Sequence, residues 1–212
     1  MILTLLGAPG AGKGTMARIL VNKLQIPAIS TGVLLRNEIM KGSELGKEID
    51  ALISKGNFVP DEMISKLLVK RLMEADCQNG YILDGFPRNA SQAENLPDLG
   101  IYLDKAVLLN VPDEVIIERL EGRRECPHCR ATYHIRHNLP KQDGICDECG
   151  AQLQIRDDDR PEIIRNRLDI YHQETEPLIQ YFRQKGLLAE VQGCDSVEET
   201  IENVLQALGV TL

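Results

Sequence analysis

The 212-residue sequence predicts an α/β fold built on a parallel, doubly wound sheet. Three observations carry this prediction. Short apolar runs alternate along the chain with longer stretches of helical periodicity. The first run, Met1 to Leu6, breaks into the glycine-rich segment Gly7-Ala8-Pro9-Gly10-Ala11-Gly12-Lys13-Gly14-Thr15. A later run, Tyr81-Ile82-Leu83, ends in an acid, Asp84. In open α/β sheets the C-terminal ends of the strands are where ligands sit.

The opening segment fits G-x-x-x-x-G-K, with Gly7, Gly12 and Lys13 at the required places. Gly14 follows, and the hydroxyl comes one residue later, at Thr15. Positions without side chains let backbone N–H groups curl around a phosphate, and the next helix points its positive end at it. Lys13 would add a full charge near the β and γ phosphates. Met16, Ile19, Leu20 and Leu24 then share one helical face.

Ile26 to Ile29 reads as a second strand, and Ser30-Thr31-Gly32 as a turn able to cap a helix. Residues 33–54 are helical but punctuated by Gly42 and Gly46, with Gly56 just beyond. They form an excursion from the sheet that returns at Phe58-Val59-Pro60. Asp61 is expected to cap a helix with Ile64, Leu67, Leu68 and Leu72 on one face. Ser91 and Glu94 have capping-box spacing. Ala106 to Val111 is a further buried strand, and Pro112-Asp113 starts the helix after it. Pro161 opens a long helix to about Lys185, with a kink expected at Pro177. Leu187 to Val191 is the last strand, and Ser196 with Glu199 caps a final helix to Leu208.

Residues 122–159 differ in character. They hold four of the six cysteines and three of the four histidines, with few long apolar runs, and read as an inserted small domain. Cys126, Cys129, Cys146 and Cys149 form C-x₂-C…C-x₂-C with sixteen residues between the pairs. Four thiolates close a tetrahedron and leave no open position, so the expectation is one structural Zn²⁺. His128, His134 and His137 are substitute ligands that four cysteines make unnecessary. Cys77 and Cys194 have no partner pattern and read as small buried residues.

Composition bounds the function. Hydrophobic residues are 43% of the chain, enough for a sizeable core. A net charge of -8, aromatic residues at 4% and no tryptophan argue against nucleic-acid binding. No apolar run reaches the length of a membrane span, and the cysteine pattern is that of metal ligands rather than disulfides. The expected location is cytoplasmic, away from membranes. Against this acidic background, Arg36, Arg88, Arg119, Arg123, Arg124, Arg156, Arg160, Arg165 and Arg167 recur in loops and at helix starts. Guanidinium groups near strand ends, beside a phosphate-binding loop, suggest a site for two phosphorylated ligands. Asp84 suits a carboxylate associated with Mg²⁺.

The segments GAPGAGKGT at 7–15, STG at 30–32, DGFPR at 84–88 with Gln92, GRR at 122–124, RDDD at 156–159 and NRL at 166–168 together resemble adenylate kinase. The resemblance is to the bacterial long form with a zinc-bearing lid, and it runs the whole chain. It implies a P-loop nucleoside monophosphate kinase core with a five-stranded parallel sheet flanked by helices, formed by residues 1–29, 60–121 and 160–212. It implies an AMP-binding insertion at 30–59 and a zinc-bearing lid at 122–159.

The same resemblance implies that Gly10, Ala11, Gly12, Lys13, Gly14 and Thr15 hold the ATP phosphates. Arg119, Thr132, Tyr133 and the backbone near Asp195 would make further ATP contacts. AMP would be held by Thr31, Arg36, Asn57, Phe58, Val59, Gly85, Phe86, Pro87, Arg88 and Gln92, with a cis peptide before Pro87. Arg123, Arg156 and Arg167 would surround the transferred phosphoryl group, Arg123 also binding ATP and Arg156 and Arg167 also reaching AMP. Lys13, Arg88 and Mg²⁺ would add catalytic positive charge, and Asp84 would orient the metal. Asp158 and Asp159 would help the lid close. The implied reaction is MgATP + AMP ⇌ 2 ADP in a monomer, with no general base, because the attacking AMP phosphate oxygen is already ionised. A kinase acting on UMP, CMP or GMP is the alternative.

Overall fold

The structure, a computed structural model, describes residues 1–55, 57, 59–192 and 197–210. In chain order the first elements are β1 (Ile2–Leu6), α1 (Lys13–Leu24), β2 (Ala28–Ser30), α2 (Thr31–Met40), α3 (Glu44–Ile53) and α4 (Asp61–Leu72). Next come β3 (Tyr81–Asp84), α5 (Ala90–Glu94), β4 (Lys105–Asn110), α6 (Asp113–Glu121), β5 (Arg123–Glu125) and β6 (Thr132–His134). The chain ends with α7 (Pro161–Ile170), α8 (Pro177–Gln184), β7 (Leu188–Gln192) and α9 (Val197–Ala207). The order β2-β3-β1-β4-β7 makes one five-stranded sheet, and every pairing in it is parallel. β5 and β6 form a separate antiparallel pair.

Strand alternation sends neighbouring side chains to opposite faces. Leu3, Leu5, Ile82, Val107 and Leu109 pack with Met16 and Leu20 of α1 and Val204 and Leu205 of α9. Leu6, Leu83, Ala106 and Leu108 pack on the other face with Leu68 of α4 and Leu178 and Phe182 of α8. A third cluster, Ile116 and Leu120 of α6 with Ile164 and Leu168 of α7, closes over Ala8 of the glycine-rich loop. β1 lies between β3 and β4, so the loop after it opens where the chain turns to either side, the usual ligand crevice of such sheets.

The 30–59 excursion consists of α2 and α3, and Ser43 caps α3 by accepting from Gly46 N at 3.0 Å. Residues 122–159 hold β5, β6 and the loops carrying the cysteines. Their buried apolar cluster is only Cys126, Ala131, Tyr133, Cys146 and Leu153. A core that small does not hold a fold unaided.

Several local expectations are corrected. Ser30 stands at the N-cap of α2 but its side chain makes no cap bond. Instead, Thr31 Oγ1 donates to Gly85 O at 2.9 Å. Pro60, not Asp61, precedes the first turn of α4, and the Asp61 carboxylate accepts from Gln92 Nε2 at 2.5 Å and Asn89 Nδ2 at 3.3 Å. The cap of α5 is Asn89, whose Oδ1 accepts from Gln92 N at 2.8 Å, rather than Ser91. The long C-terminal helix is interrupted upstream of Pro177 by a π-helical turn, Tyr171–Thr175, in which Glu176 N reaches Tyr171 O. Pro177 begins α8, where a missing N–H costs nothing. The expected Ser196 cap, Phe58, Cys194 and the Asp195 contact lie outside the described residues.

Candidate active site

The glycine-rich loop joins β1 to α1 and is pressed against α6. Gly10 has φ +87°, and a Cβ there would stand 2.8 Å from the Leu120 side chain, so the position has neither room nor backbone freedom for a larger residue. Lys13 begins α1, and its Nζ donates to Gly7 O at 2.7 Å and Ala8 O at 2.8 Å. The ammonium is thereby held over the loop. Burial, together with Arg88, Arg167 and Arg123, outweighs the attraction of Asp84 and pushes its pKa down to about 8.

Asp84 ends β3 opposite Leu5 of β1, with its carboxylate beside Gly14. Next in sequence, Gly85 takes φ +85° and the Phe86–Pro87 peptide is cis. The turn brings Arg88 back, so that its Nε donates to Gly85 O at 2.8 Å and its N to Gln92 Oε1 at 2.7 Å. Thr175 Oγ1 donates to Arg88 O at 2.6 Å, tying this turn to the π-helical segment. Both ends of the buried Gln92 amide are thus engaged, by Arg88 and by Asp61.

Arg123, at the start of β5, donates twice to Asp159: Nε to Oδ2 at 2.7 Å and Nη2 to Oδ1 at 2.6 Å. Arg167 Nη1 in α7 donates to Asp158 O at 2.8 Å and lies 3.1 Å from Asp158 Oδ2 and 3.3 Å from Asp159 Oδ1. Arg156, just ahead of these acids, pairs with Glu125 Oε2. The buried Nε atoms of Arg36 and Arg156 have no hydrogen-bond partner among the described residues.

The guanidinium groups of Arg36, Arg88 and Arg156 all lie below their usual pKa, because burial and the repulsion of neighbouring arginines outweigh the attraction of Asp84, Asp158 and Asp159. A guanidinium does not lose its proton in a protein, so a bound anion is what would relieve the repulsion. Burial works to raise the Asp158 pKa, but Arg167, Arg156, Arg123 and Arg36 outweigh it and hold the carboxyl below its ordinary range. Lys13, Arg36, Arg88, Arg123, Arg156 and Arg167 therefore lie close enough to feel one another's charge, with Asp84, Asp158 and Asp159 among them. Half-buried lysine and arginine chemistry of this kind fits phosphate groups.

Not every residue expected at the site converges there. Arg119 is half-buried in the last turn of α6. Tyr133 is buried in the 122–159 segment, where its hydroxyl accepts from Asp147 N at 2.8 Å and lies 3.6 Å from Cys146 Sγ. Thr132, beside it, is half-buried, Asn57 is exposed and Val59 belongs to the core. Glu125, the buried partner of Arg156, carried no signal in the sequence: it is an acid ahead of a cysteine, and its contact is 31 positions away.

The four cysteine sulfurs lie within 4.8 Å of one another. Cys126 Sγ is 3.4 Å from Cys149 Sγ, and Cys129 Sγ is 3.4 Å from Cys146 Sγ. A tetrahedron with metal–sulfur bonds of about 2.3 Å has edges of about 3.8 Å, so the set fits a zinc ion with small adjustment. Among the described residues no helix is long and apolar enough to cross a membrane.

A family model described as adenylate kinase matches residues 5–187. The adenylate kinase of Caldicellulosiruptor saccharolyticus is 48% identical over 214 residues, covering 99% of this chain and 100% of the relative. That of Lachnospira eligens is 48% identical over 213 residues with the same coverage, and that of Acetivibrio thermocellus 48% over 217 residues, 100% of both chains. With a full-length match of this depth laid over a phosphate-binding loop, a parallel sheet and a buried arginine cluster, the chain belongs to the adenylate kinase family.

Proposed function

We propose that the protein transfers the γ-phosphoryl group of MgATP to AMP, reversibly, giving two ADP and balancing the adenine nucleotides. One observation carries the reading: six half-buried cations, Lys13, Arg36, Arg88, Arg123, Arg156 and Arg167, lie near one another and outnumber the carboxylates among them, Asp84, Glu125, Asp158 and Asp159. A single phosphorylated ligand does not need so many cations. A donor and an acceptor meeting end to end do.

The loop Gly10 to Thr15 cradles the ATP phosphates with backbone N–H groups, and Lys13 neutralises charge at the β–γ junction. Arg119, Thr132, Tyr133 and the stretch around Asp195 belong to the ATP side. Thr31, Arg36, Asn57, Phe58, Val59, Gly85 to Arg88 and Gln92 form the AMP side. Arg123, Arg156 and Arg167 sit around the transferred group, where charge spreads over three equatorial oxygens. Mg²⁺ would supply further neutralisation of the phosphates when bound, and Asp84 would hold it. An AMP phosphate oxygen attacks without a general base, so the protein's work is alignment and electrostatic stabilisation.

Residues 30–59 serve as the AMP-binding insertion and 122–159 as a lid stapled by Zn²⁺ on Cys126, Cys129, Cys146 and Cys149. Asp158 and Asp159 fix the lid-neck arginines in the closed arrangement. Closure excludes water, which would otherwise take the phosphoryl group. The protein acts as a cytoplasmic monomer on small nucleotides, independent of nucleic acid and membrane. The test is a coupled assay for ADP from ATP and AMP, with ATP alone as control and CMP, UMP and GMP as parallel acceptors. ADP formation strictly dependent on AMP is expected; equal rates without AMP overturn the reading.

A further inference from the structure

Arg130 follows the first cysteine pair, and its backbone is left-handed, with φ +64°. That region suits glycine, and few longer residues enter it. The turn demands it, since Arg130 N donates to Cys126 O at 3.0 Å and closes the loop around the sulfur. Glycine would make the same turn without strain, so what arginine adds there is its side chain. An observed outlier of this kind is a reason to ask what the side chain does.

Its guanidinium makes two contacts. Nη1 donates to Glu125 Oε1 at 3.1 Å, and Nη2 lies 3.6 Å from Met40 Sδ on α2. The Glu125 side chain is only 5% exposed. One of its oxygens faces Arg130 and the other faces Arg156. Its position is pinned by the backbone: Glu125 N donates to Gln154 O at 2.8 Å and Gln154 N to Glu125 O at 2.9 Å. This bridge places the carboxylate next to Arg156, two residues on from Gln154.

A lone buried carboxylate at that place would neutralise the charge that Arg156 owes to a phosphate. Arg130 prevents this, because the three groups together keep one net positive charge. Glu125, Arg130 and Arg156 also line a cavity of about 220 Å³ whose opposite wall is Arg36, Ile39 and Met40.

We propose that Glu125 is a positioning residue for Arg156, that Arg130 is the counter-charge that lets it be one, and that the Arg130–Met40 contact ties this arrangement to closure of the lid on the AMP-binding insertion. The inference rests on the reading of Arg156 as a phosphate ligand.

The experiment measures kcat and KM for AMP and ATP, with zinc content and Tm, in wild type, Arg130→Gly, Arg130→Lys, Glu125→Gln/Arg130→Gly, Arg156→Ala and Arg130→Gly/Arg156→Ala. Arg156→Ala alone lowers kcat by about 100-fold if Arg156 touches the transferred group. A near-normal rate there overturns the reading of Arg156 itself. Arg130→Gly lowers kcat/KM for AMP by about tenfold with zinc retained and Tm unchanged or raised, because glycine suits the backbone. Arg130→Lys keeps the charge and restores most of the loss. Glu125→Gln/Arg130→Gly recovers part of the loss, because the unbalanced charge is gone while the amide oxygen still accepts from Arg156; the remaining deficit is the positioning that the carboxylate supplied. In the Arg156→Ala background, Arg130→Gly has no further effect. The proposal is overturned if Arg130→Gly leaves kcat/KM at the wild-type level, if its effect persists undiminished without Arg156, or if the loss appears only together with loss of zinc or a lowered Tm.

Discussion

Arg123 grips Asp159 through two parallel hydrogen bonds, 2.7 and 2.6 Å long, and the Asp159 side chain is fully enclosed. The two residues stand at the entry to and the exit from the cysteine-bearing segment, so the pair fastens its two necks together. Arg167 leans on the same carboxylate. Asp159→Asn keeps the shape and removes the charge, leaving the Arg123 guanidinium without its counter-ion and Arg167 with Asp158 alone. The expected cost is about 3 kcal/mol of stability, read as a lower urea midpoint with unchanged slope, together with a reduced kcat. An unchanged midpoint would mean that the arginines find solvent instead.

Lys13 is expected to dominate turnover. Lys13→Ala should lower kcat by about 10²–10³-fold while circular dichroism stays as in the wild type; a near-normal rate would remove the lysine from its central role. A pH signature accompanies it. Burial and the neighbouring arginines hold its pKa down to about 8. The charged form is the one that neutralises phosphate, so kcat/KM for ATP should decline as pH rises through about 8. A profile flat to about pH 10 would show that the lysine keeps its ordinary pKa.

The cysteine segment gives a prediction about metal. Its apolar cluster is five residues, two of them cysteines of the proposed zinc set, so folding free energy there must come from metal binding. One zinc per chain is expected on elemental analysis of protein expressed with zinc available. Chelation should lower Tm, whereas kcat measured well below the transition changes less than stability does. Protein that carries no zinc, or melts identically with and without chelator, contradicts the assignment.

What the sequence made legible was what is local in it. The loop from Gly7 to Thr15, the acid at the end of Tyr81–Asp84 and the two C-x₂-C pairs each place their chemistry within a few residues, and each lies where its pattern predicts. Caps were less legible, because neighbouring residues compete for one role. Asn89 takes the cap expected of Ser91 because its backbone is the extended one, φ -144°. Asp61 is drawn away from capping by Gln92 and Asn89, some thirty residues on. Glu125 was invisible for the same reason: its two guanidinium partners meet it only once the strand pair has folded.

Gly85 tests the AMP side. Its φ is +85°, and a Cβ there would stand 2.9 Å from both Arg88 Nη2 and Thr31 Oγ1. Gly85→Ala must therefore strain the backbone and displace the two side chains expected to hold AMP. KM for AMP should rise by about tenfold or more, the loss expected when a positioned contact worth about 1.4 kcal/mol is removed. KM for ATP should move much less. Equal changes in both constants would place Gly85 in general stability rather than acceptor binding.

His172 carries the last prediction. Its Nδ1 lies 2.8 Å from Glu176 Oε2 and its Nε2 2.9 Å from Asp113 Oδ2, so the ring bridges the start of α6 and the residue before α8. Both nitrogens donate only in the imidazolium form. The bonds to Glu176 and Asp113 outweigh partial burial and raise its pKa above the ordinary value. A raised folded-state pKa means that folding favours the protonated ring. The stabilisation is then fully present below the unfolded value of about 6.5 and is lost as pH rises through the folded value. Wild type should therefore melt higher than His172→Gln at about pH 6, and the gap should close towards about pH 9. The group is exposed enough for salt to shrink the difference, which separates the charge effect from packing. A gap that is independent of pH, or that widens as pH rises, would show that the ring bridges the helices as a neutral group.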